Sequence, residues 1–479
     1  MGTDNAKANV KTKYQVIADA LEQQIELGRF DIGEKLPSIR QLASNFNVSK
    51  NTAINALQQL ESKSLIEANP KSGFTVKHNL QSSLPVSPVF TSIRPNRISI
   101  PELLQDVISR GAAFDIKPSA PLETEYGLIG KLHQKINKSM RTQSVRNSRY
   151  YDDPKGNLSL REQIAQRYAR LGLTVDREDI CITAGCQHSL CLSLMATCKP
   201  GDNVVIESPG FYGVIQLLEE LQLNAIEVPC HNLSGLDIEL LRDVLEKYNV
   251  RACVVTPAFS TPTGACMPDE NKVQLLSLAQ RYDFAVIEDD IYGELGFKFR
   301  PKPIKFFDVD ERVILCSSFS KSLSVDLRTG WIIGSRWEKR IQRLKMVTHL
   351  AGSQAIQMGL SEFISSGNFT RYLKQRTIRL EEYRNALART LHQEFGASVR
   401  YTLPLGGLSL WVQLPNDTNT LALYYRALEH KIVLTPGALF SSQDNFSNFL
   451  RISFCHPLTP ERASAIHTLH TLTKRKKQR

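Results

Sequence analysis

The 479-residue chain is predicted to fold as an α/β protein, with a largely parallel sheet in its major domain and a small helical head before it. Three observations carry that prediction. Apolar runs at Val204-Val205-Ile206, Ala252-Cys253-Val254-Val255, Ala285-Val286-Ile287 and Val313-Ile314-Leu315 alternate with amphipathic stretches such as Lys272 to Tyr282, the pattern of strand and helix in α/β folds. The first eighty or so residues instead show helical spacing followed by two short strand-like runs. Between the two lies a Ser- and Pro-rich stretch from about Asn79 to Ala112, with Pro85, Pro88, Pro95 and Pro101; it reads as a linker interrupted by a weak helix near Leu103 to Ser109. The length is beyond what one core usually fills, so the expected division is 1–78, a linker 79–112, and a body 113–479.

In the head, Val16, Ile17, Ala20, Leu21 and Ile25 repeat at helical spacing. Ser38 is placed to cap a short helix running to about Phe46, and Val48-Ser49-Lys50-Asn51-Thr52 opens another running to about Ser62. Two short helices joined by a tight turn make a helix-turn-helix. On the last helix Ala53, Leu57 and Leu60 share one face, which leaves Lys50, Asn51 and Asn55 to point outward, as a recognition helix requires. Leu65 to Ala68 and Phe74 to Lys77 then read as a hairpin around Asn69-Pro70-Lys71-Ser72-Gly73, completing a winged helix-turn-helix.

Net charge is +11, but residues 1–78 carry ten Lys/Arg against eight Asp/Glu, only +2. The excess lies elsewhere, at the C-terminal run Lys474 to Arg479, around Arg141, Arg146 and Arg149, and around Arg371, Lys374, Arg376 and Arg379. Charge alone therefore only permits a polyanionic partner. Nine cysteines without CxxC pairs argue for reduced thiols rather than a disulfide or zinc framework. The chain has neither an eighteen-residue apolar run nor an apolar leader at its start, and reads as a soluble cytoplasmic protein without a membrane partner.

In the body, Lys321 stands out. It lies in Ser317 to Trp331, where a strand-like run delivers it to a polar turn with Ser318, Ser320 and Arg328 nearby. Thr183-Ala184-Gly185-Cys186-Gln187 precedes an apolar helix, whose first N–H groups suit a phosphate as well as they suit a plain helix start. Glu288-Asp289-Asp290 follows a strand. Adjacent acids there admit a metal pair, though no supporting His or third carboxylate stands at ligand spacing.

The stretch from Gly28 to Val76 resembles the DNA-binding domain of GntR-type bacterial regulators. The resemblance implies that Arg40, Ser49, Lys50, Asn51 and Thr52, with Lys71 and Gly73 on the wing, meet double-stranded operator DNA. An arginine such as Arg40 can bind a guanine edge through two hydrogen bonds, and Ser49 and Thr52 suit phosphates; an internal salt bridge for Arg40 and a bare N-cap for Ser49 are the structural alternatives.

From Tyr151 to about Phe454 the chain resembles fold-type I aminotransferases, whose cofactor is pyridoxal 5'-phosphate. On that resemblance Lys321 carries the cofactor as a Schiff base. Gly185, Cys186, Gln187, Ser318, Ser320 and Arg328 hold its phosphate, Phe211 stacks on its ring, Asp289 pairs with the ring nitrogen and Tyr292 meets the 3-oxygen. Tyr151, in Tyr151-Asp152-Asp153-Pro154-Lys155-Gly156, reaches the phosphate across a homodimer, and Arg451 binds a substrate carboxylate. One departure concerns Thr261, which stands before Pro262-Thr263-Gly264 where the family has asparagine, so a planar amide gives way to a shorter hydroxyl.

A GntR-type head on an aminotransferase-like body is the architecture of MocR-subfamily regulators, which this chain resembles over nearly its whole length. The resemblance implies a regulator that senses an amine or amino acid through an external aldimine formed at Lys321. A working aminotransferase carrying a DNA-binding head stays open beside it.

Overall fold

The helical spacing at the start of the chain becomes α1 (Lys13–Glu26), α2 (Ile39–Asn45) and α3 (Lys50–Ser62), followed by a hairpin of β1 (Ile66–Asn69) and β2 (Gly73–Val76). The computed structural model describes residues 13–26, 30, 33–62, 65–69, 73–76, 84–88, 90, 93–97, 106, 126–146, 151–415, 417–443 and 445–474. Contacts divide the chain into two compact units, Met1–Leu84 with Asn385–Gln393, and Pro85–Arg384 with Glu394–Arg479.

In the head, Ser38 forms a capping box. Its hydroxyl accepts the Gln41 N–H, and the Gln41 side chain in turn accepts the Ser38 N–H at 2.8 Å. Ser49 caps α3 by accepting the Thr52 N–H at 3.2 Å. Ala53, Leu57 and Leu60 are fully buried against Ile17, Leu21 and Leu42, and Lys50, Asn51 and Asn55 are exposed. The hairpin pairs Ile66 with Val76 and Asn69 with Gly73, and Lys35 bridges to Thr75 as a third edge. Gly73 has φ +91°, a left-handed conformation that a side chain resists.

The body is built on an eight-stranded sheet in the order β3 (Ile180–Thr183), β10 (Gly330–Ile333), β9 (Val313–Ser318), β8 (Ala285–Asp289), β7 (Val250–Val255), β4 (Asn203–Ser208), β5 (Asn224–His231), β6 (Gly235–Leu236). Strands β5, β4, β7, β8 and β9 run parallel, whereas β10 is antiparallel to both β9 and β3. Alternate residues face opposite layers. Val204, Ile206, Ala252, Val254, Ile287 and Ile314 pack under helices Cys186–Thr197 and Tyr212–Glu220, while Val205, Cys253, Val255, Val286 and Val313 pack under helices Ile238–Lys247 and Asp269–Tyr282. A second sheet joins β11 (Arg400–Tyr401), β12 (Ser409–Gln413) and β13 (Phe449–Ser453).

The stretch expected to be a linker is tied to the body wherever it is described from Pro85 onward. Asn96 pairs with Ala225 on β5 through two backbone hydrogen bonds of 2.9 and 3.0 Å. The Val86 N–H donates to Gln413, the Asn232 amide donates to the Pro85 carbonyl, and Phe90 packs edge-on against Phe446. Of the weak helix near 103–109 only Asp106 is described; it accepts the Tyr424 hydroxyl at 2.5 Å. No helix among the described residues is long and apolar enough to cross a membrane.

Candidate cofactor site

Parallel strands gather their carboxyl ends at one edge, and a ligand placed there meets the loops that leave them. Ser208, Asp289, Ser318 and Thr183 end β4, β8, β9 and β3. Because β10 runs the other way, its first residue Gly330 lies opposite both Ser318 and Thr183. Arg328, two residues earlier, is thereby delivered to the same edge. Its guanidinium donates to the Ala184 carbonyl at 3.1 Å, beside the start of helix Cys186–Thr197.

That helix begins at Gly185, whose φ of +99° is left-handed, and a Cβ there would stand 2.9 Å from Arg328 Nη2. Helix N-terminus and guanidinium thus form a positive cradle. Replacing Gly185 by alanine is expected to displace Arg328 and weaken uptake of a phosphate-bearing cofactor by about tenfold or more, at a strain cost of about 1–3 kcal/mol. Titration of the apoprotein, set beside its melting curve, checks it. Gln187 turns its amide to the Gly213 carbonyl at 2.7 Å.

Ser318 is buried, accepts the Ser320 N–H at 3.0 Å and shares its one proton between Ser320 Oγ and the Thr329 carbonyl. It acts as the cap of the turn Phe319–Ser322, which holds Lys321. Burial, aided by the positive charges of Arg451 and Arg328, pushes the Lys321 amine down to about 7, against the opposing pull of Asp289. An ordinary lysine would be almost wholly protonated at that pH.

Asp289 is buried, and burial pushes its carboxyl up to about 6 despite hydrogen bonds from Cys186 and the Ile291 N–H. Its neighbour Asp290 is occupied differently, accepting the Tyr168 hydroxyl at 3.2 Å and Arg300 at 3.1 Å. The two adjacent acids therefore serve separate partners. Tyr292 and Thr261 are both buried, and burial pushes the Tyr292 phenol up, an effect that the Thr261 side chain opposes. Phe211 precedes helix Tyr212–Glu220, with its ring 4.9 Å from that of Tyr212. Arg451 on β13 is buried with its guanidinium 5.4 Å from the Phe440 ring centre.

Tyr151 is 80% exposed, apart from these groups on the chain's own surface. The turn after it is held from beneath by two cations that sequence reasoning missed. Buried Arg161 donates to the Gly156 carbonyl at 3.1 Å and to Asp153 at 3.0 Å, and buried Lys345 donates to the Pro154 carbonyl. Glu227 was missed as well. On β5, fully buried, it accepts hydrogen bonds from the hydroxyls of Ser208 and Ser441 and from both the N–H and the hydroxyl of Ser442. In the head Arg40, Ser49, Lys50 and Asn51 are exposed and Thr52 is partly so; Lys71 lies outside the described residues.

These residues fit pyridoxal 5'-phosphate: a positive cradle, an acid with one oxygen already engaged, a lysine with a lowered proton affinity, and a buried phenol. Comparison with known proteins agrees. Residues 126–468 match the family model for aminotransferase class I and II, and residues 13–76 that for bacterial regulatory proteins of the gntR family. The HTH-type transcriptional regulators YjiR and YdcR of Escherichia coli are each 34% identical to this chain, over 94% and 92% of its length and 96% and 94% of theirs. Kynurenine aminotransferase of Pyrococcus horikoshii superposes with a TM-score of 0.72 at 25% identity, over 80% of this chain and 96% of that one. The cofactor of such a body is pyridoxal 5'-phosphate. The chain belongs to the GntR family of transcriptional regulators, in the MocR-type architecture that joins a helix-turn-helix head to a fold-type I aminotransferase domain.

Proposed function

We propose that this regulator senses an amine or amino acid by exchange at Lys321, and that the exchange alters how a homodimer engages paired operator half-sites. The observation that supports the reading is the placement of Lys321 in the turn capped by Ser318, with its amine pushed down to about 7 by burial and by the charge of the buried Arg451. An amine that leaves its carbon readily, next to a carboxylate receptor, suits reversible capture of an amino acid. Bound pyridoxal phosphate supplies an electrophilic carbon and an electron-withdrawing ring. Asp289 pairs with the ring nitrogen, Thr261 and Tyr292 meet the 3-oxygen, and Phe211 covers the ring. Gly185, Cys186 and Gln187 through their backbone, with Ser320 and Arg328, hold the phosphate. The exposure of Tyr151 supports its service to the partner's phosphate, and Arg161 and Lys345 fix the turn that follows it.

By linkage, an effector shifts DNA affinity only as far as it binds the two arrangements differently. The test is a spectral titration of the purified protein with amines and amino acids, alone and with a duplex selected by the protein from a randomised pool. A ligand that shifts the visible band and changes DNA affinity supports sensing. Steady keto-acid production at about 1 per second or faster, indifferent to DNA, supports the working aminotransferase instead, a reading kept alive by the intact Asp289, Lys321 and Arg451.

On the DNA side, Arg40, Ser49, Lys50, Asn51, Thr52, Gly73 and Lys71 are proposed contacts. Arg40→Ala is expected to cost about 1–3 kcal/mol of operator binding and to relax the preference at one base pair. Lys50→Ala is expected to weaken binding alike on all sequences and to flatten its salt dependence. Fluorescence anisotropy at several salt concentrations separates the two.

A further inference from the structure

Cys186 enters the reading above only through its backbone, at the start of the helix that receives the phosphate. Its side chain goes elsewhere. The thiol donates to Asp289 Oδ1 at 3.1 Å, and that same oxygen accepts the Ile291 N–H at 3.1 Å. Both Cys186 and Asp289 are about 5% exposed or less, and the second Asp289 oxygen takes no hydrogen bond from the described residues. Burial and the neighbouring carboxylate hold the thiol far above its usual range, so it stays S–H and remains a donor throughout the physiological range.

We propose that Cys186 is a positioning residue for the cofactor ring. Its thiol fixes the Asp289 carboxylate by one oxygen, so that the other meets the ring nitrogen, while its N–H serves the phosphate. The inference rests on the cofactor reading above and adds a second duty to a residue of the cradle. A hydrogen bond that favours the ionised acid is also what keeps Asp289 charged near neutral pH. The groups acting on that acid are Asp290, which raises its proton affinity, and Lys321, which lowers it. Glu207, Tyr292 and Cys316 lie close enough to feel its charge in turn.

The test compares wild type, Cys186→Ala and Cys186→Ser, stripped of cofactor and titrated with pyridoxal phosphate at a series of pH values. Cys186→Ala is expected to bind the cofactor roughly three- to tenfold more weakly at pH 7. Its affinity should also begin to fail at a higher pH on the acid side, because Asp289 without the thiol takes up a proton sooner. Cys186→Ser restores a donor and is expected to return both affinity and acid limb close to wild type. A packing role alone would lower affinity equally at every pH, and that result, or a Cys186→Ala indistinguishable from wild type, overturns the proposal. A wild type that takes up no cofactor overturns the cofactor reading along with it.

Discussion

Lys321→Ala is expected to abolish the visible band of the lysine-bound cofactor and, with it, any change in DNA affinity on adding an amine or amino acid. The cradle at Gly185 and Arg328 stays intact, so the variant should still hold pyridoxal phosphate, but without the covalent bond. Borohydride reduction followed by peptide mapping then labels wild type at residue 321 and leaves the variant unlabelled. The pH dependence of capture is the second half of this expectation. The amine is pushed down to about 7, so at pH 7 about half of it is neutral, roughly a thousandfold more than for an ordinary lysine near 10.4. The neutral form is the nucleophile. Capture by the apoprotein should therefore rise with pH, pass its midpoint near 7 and level off above it. A rate that keeps climbing tenfold per pH unit to pH 9 would show an ordinary lysine and remove the basis for ready exchange.

Arg451→Gln is expected to split effectors by chemical class. Amino acids lose their carboxylate partner and should respond about a hundredfold or more less sensitively, in line with the 2–5 kcal/mol typical of truncating one partner of a buried charge pair. Simple amines, which offer no carboxylate, should keep most of their response. The same substitution removes the larger of the two cations that depress Lys321, so the capture midpoint should move upward. An equal loss for amines and amino acids, with no shift in the midpoint, would make Arg451 structural.

The parts of this molecule that were legible in sequence share a physical property. Strands β4, β7, β8 and β9 are covered on both faces, so each carries an unbroken apolar run of three residues or more. Strand β5 escapes that pattern because Glu227 and Pro229 interrupt it, and β10 because it is four residues long and begins at a glycine. Lys321, Asp289 and Gly185 sit in local motifs whose order along the chain carries the resemblance. What could not be read comes from contacts closed by folding. Cys186 and Asp289 are 103 residues apart, Lys345 and Pro154 191, and Glu227 and Ser441 214. Helix capping is a local event, so Ser38 and Ser49 in the head were readable from their neighbours alone.

Glu227 has a consequence for how this regulator can diversify. One carboxylate grips Ser208, three residues before Phe211, and also Ser441 and Ser442, which follow the Phe440 ring beside Arg451. On the roles proposed for Phe211 and Arg451, cofactor grip and carboxylate recognition share an anchor, and a mutation that shifts one is expected to be felt by the other. New effector preferences are then expected to arise more readily at residues outside this clasp, with the lysine, the acid and the arginine kept together. On the sensing proposed above, variants of such a protein are expected to differ in which amino acid they answer to sooner than in whether they answer to one at all.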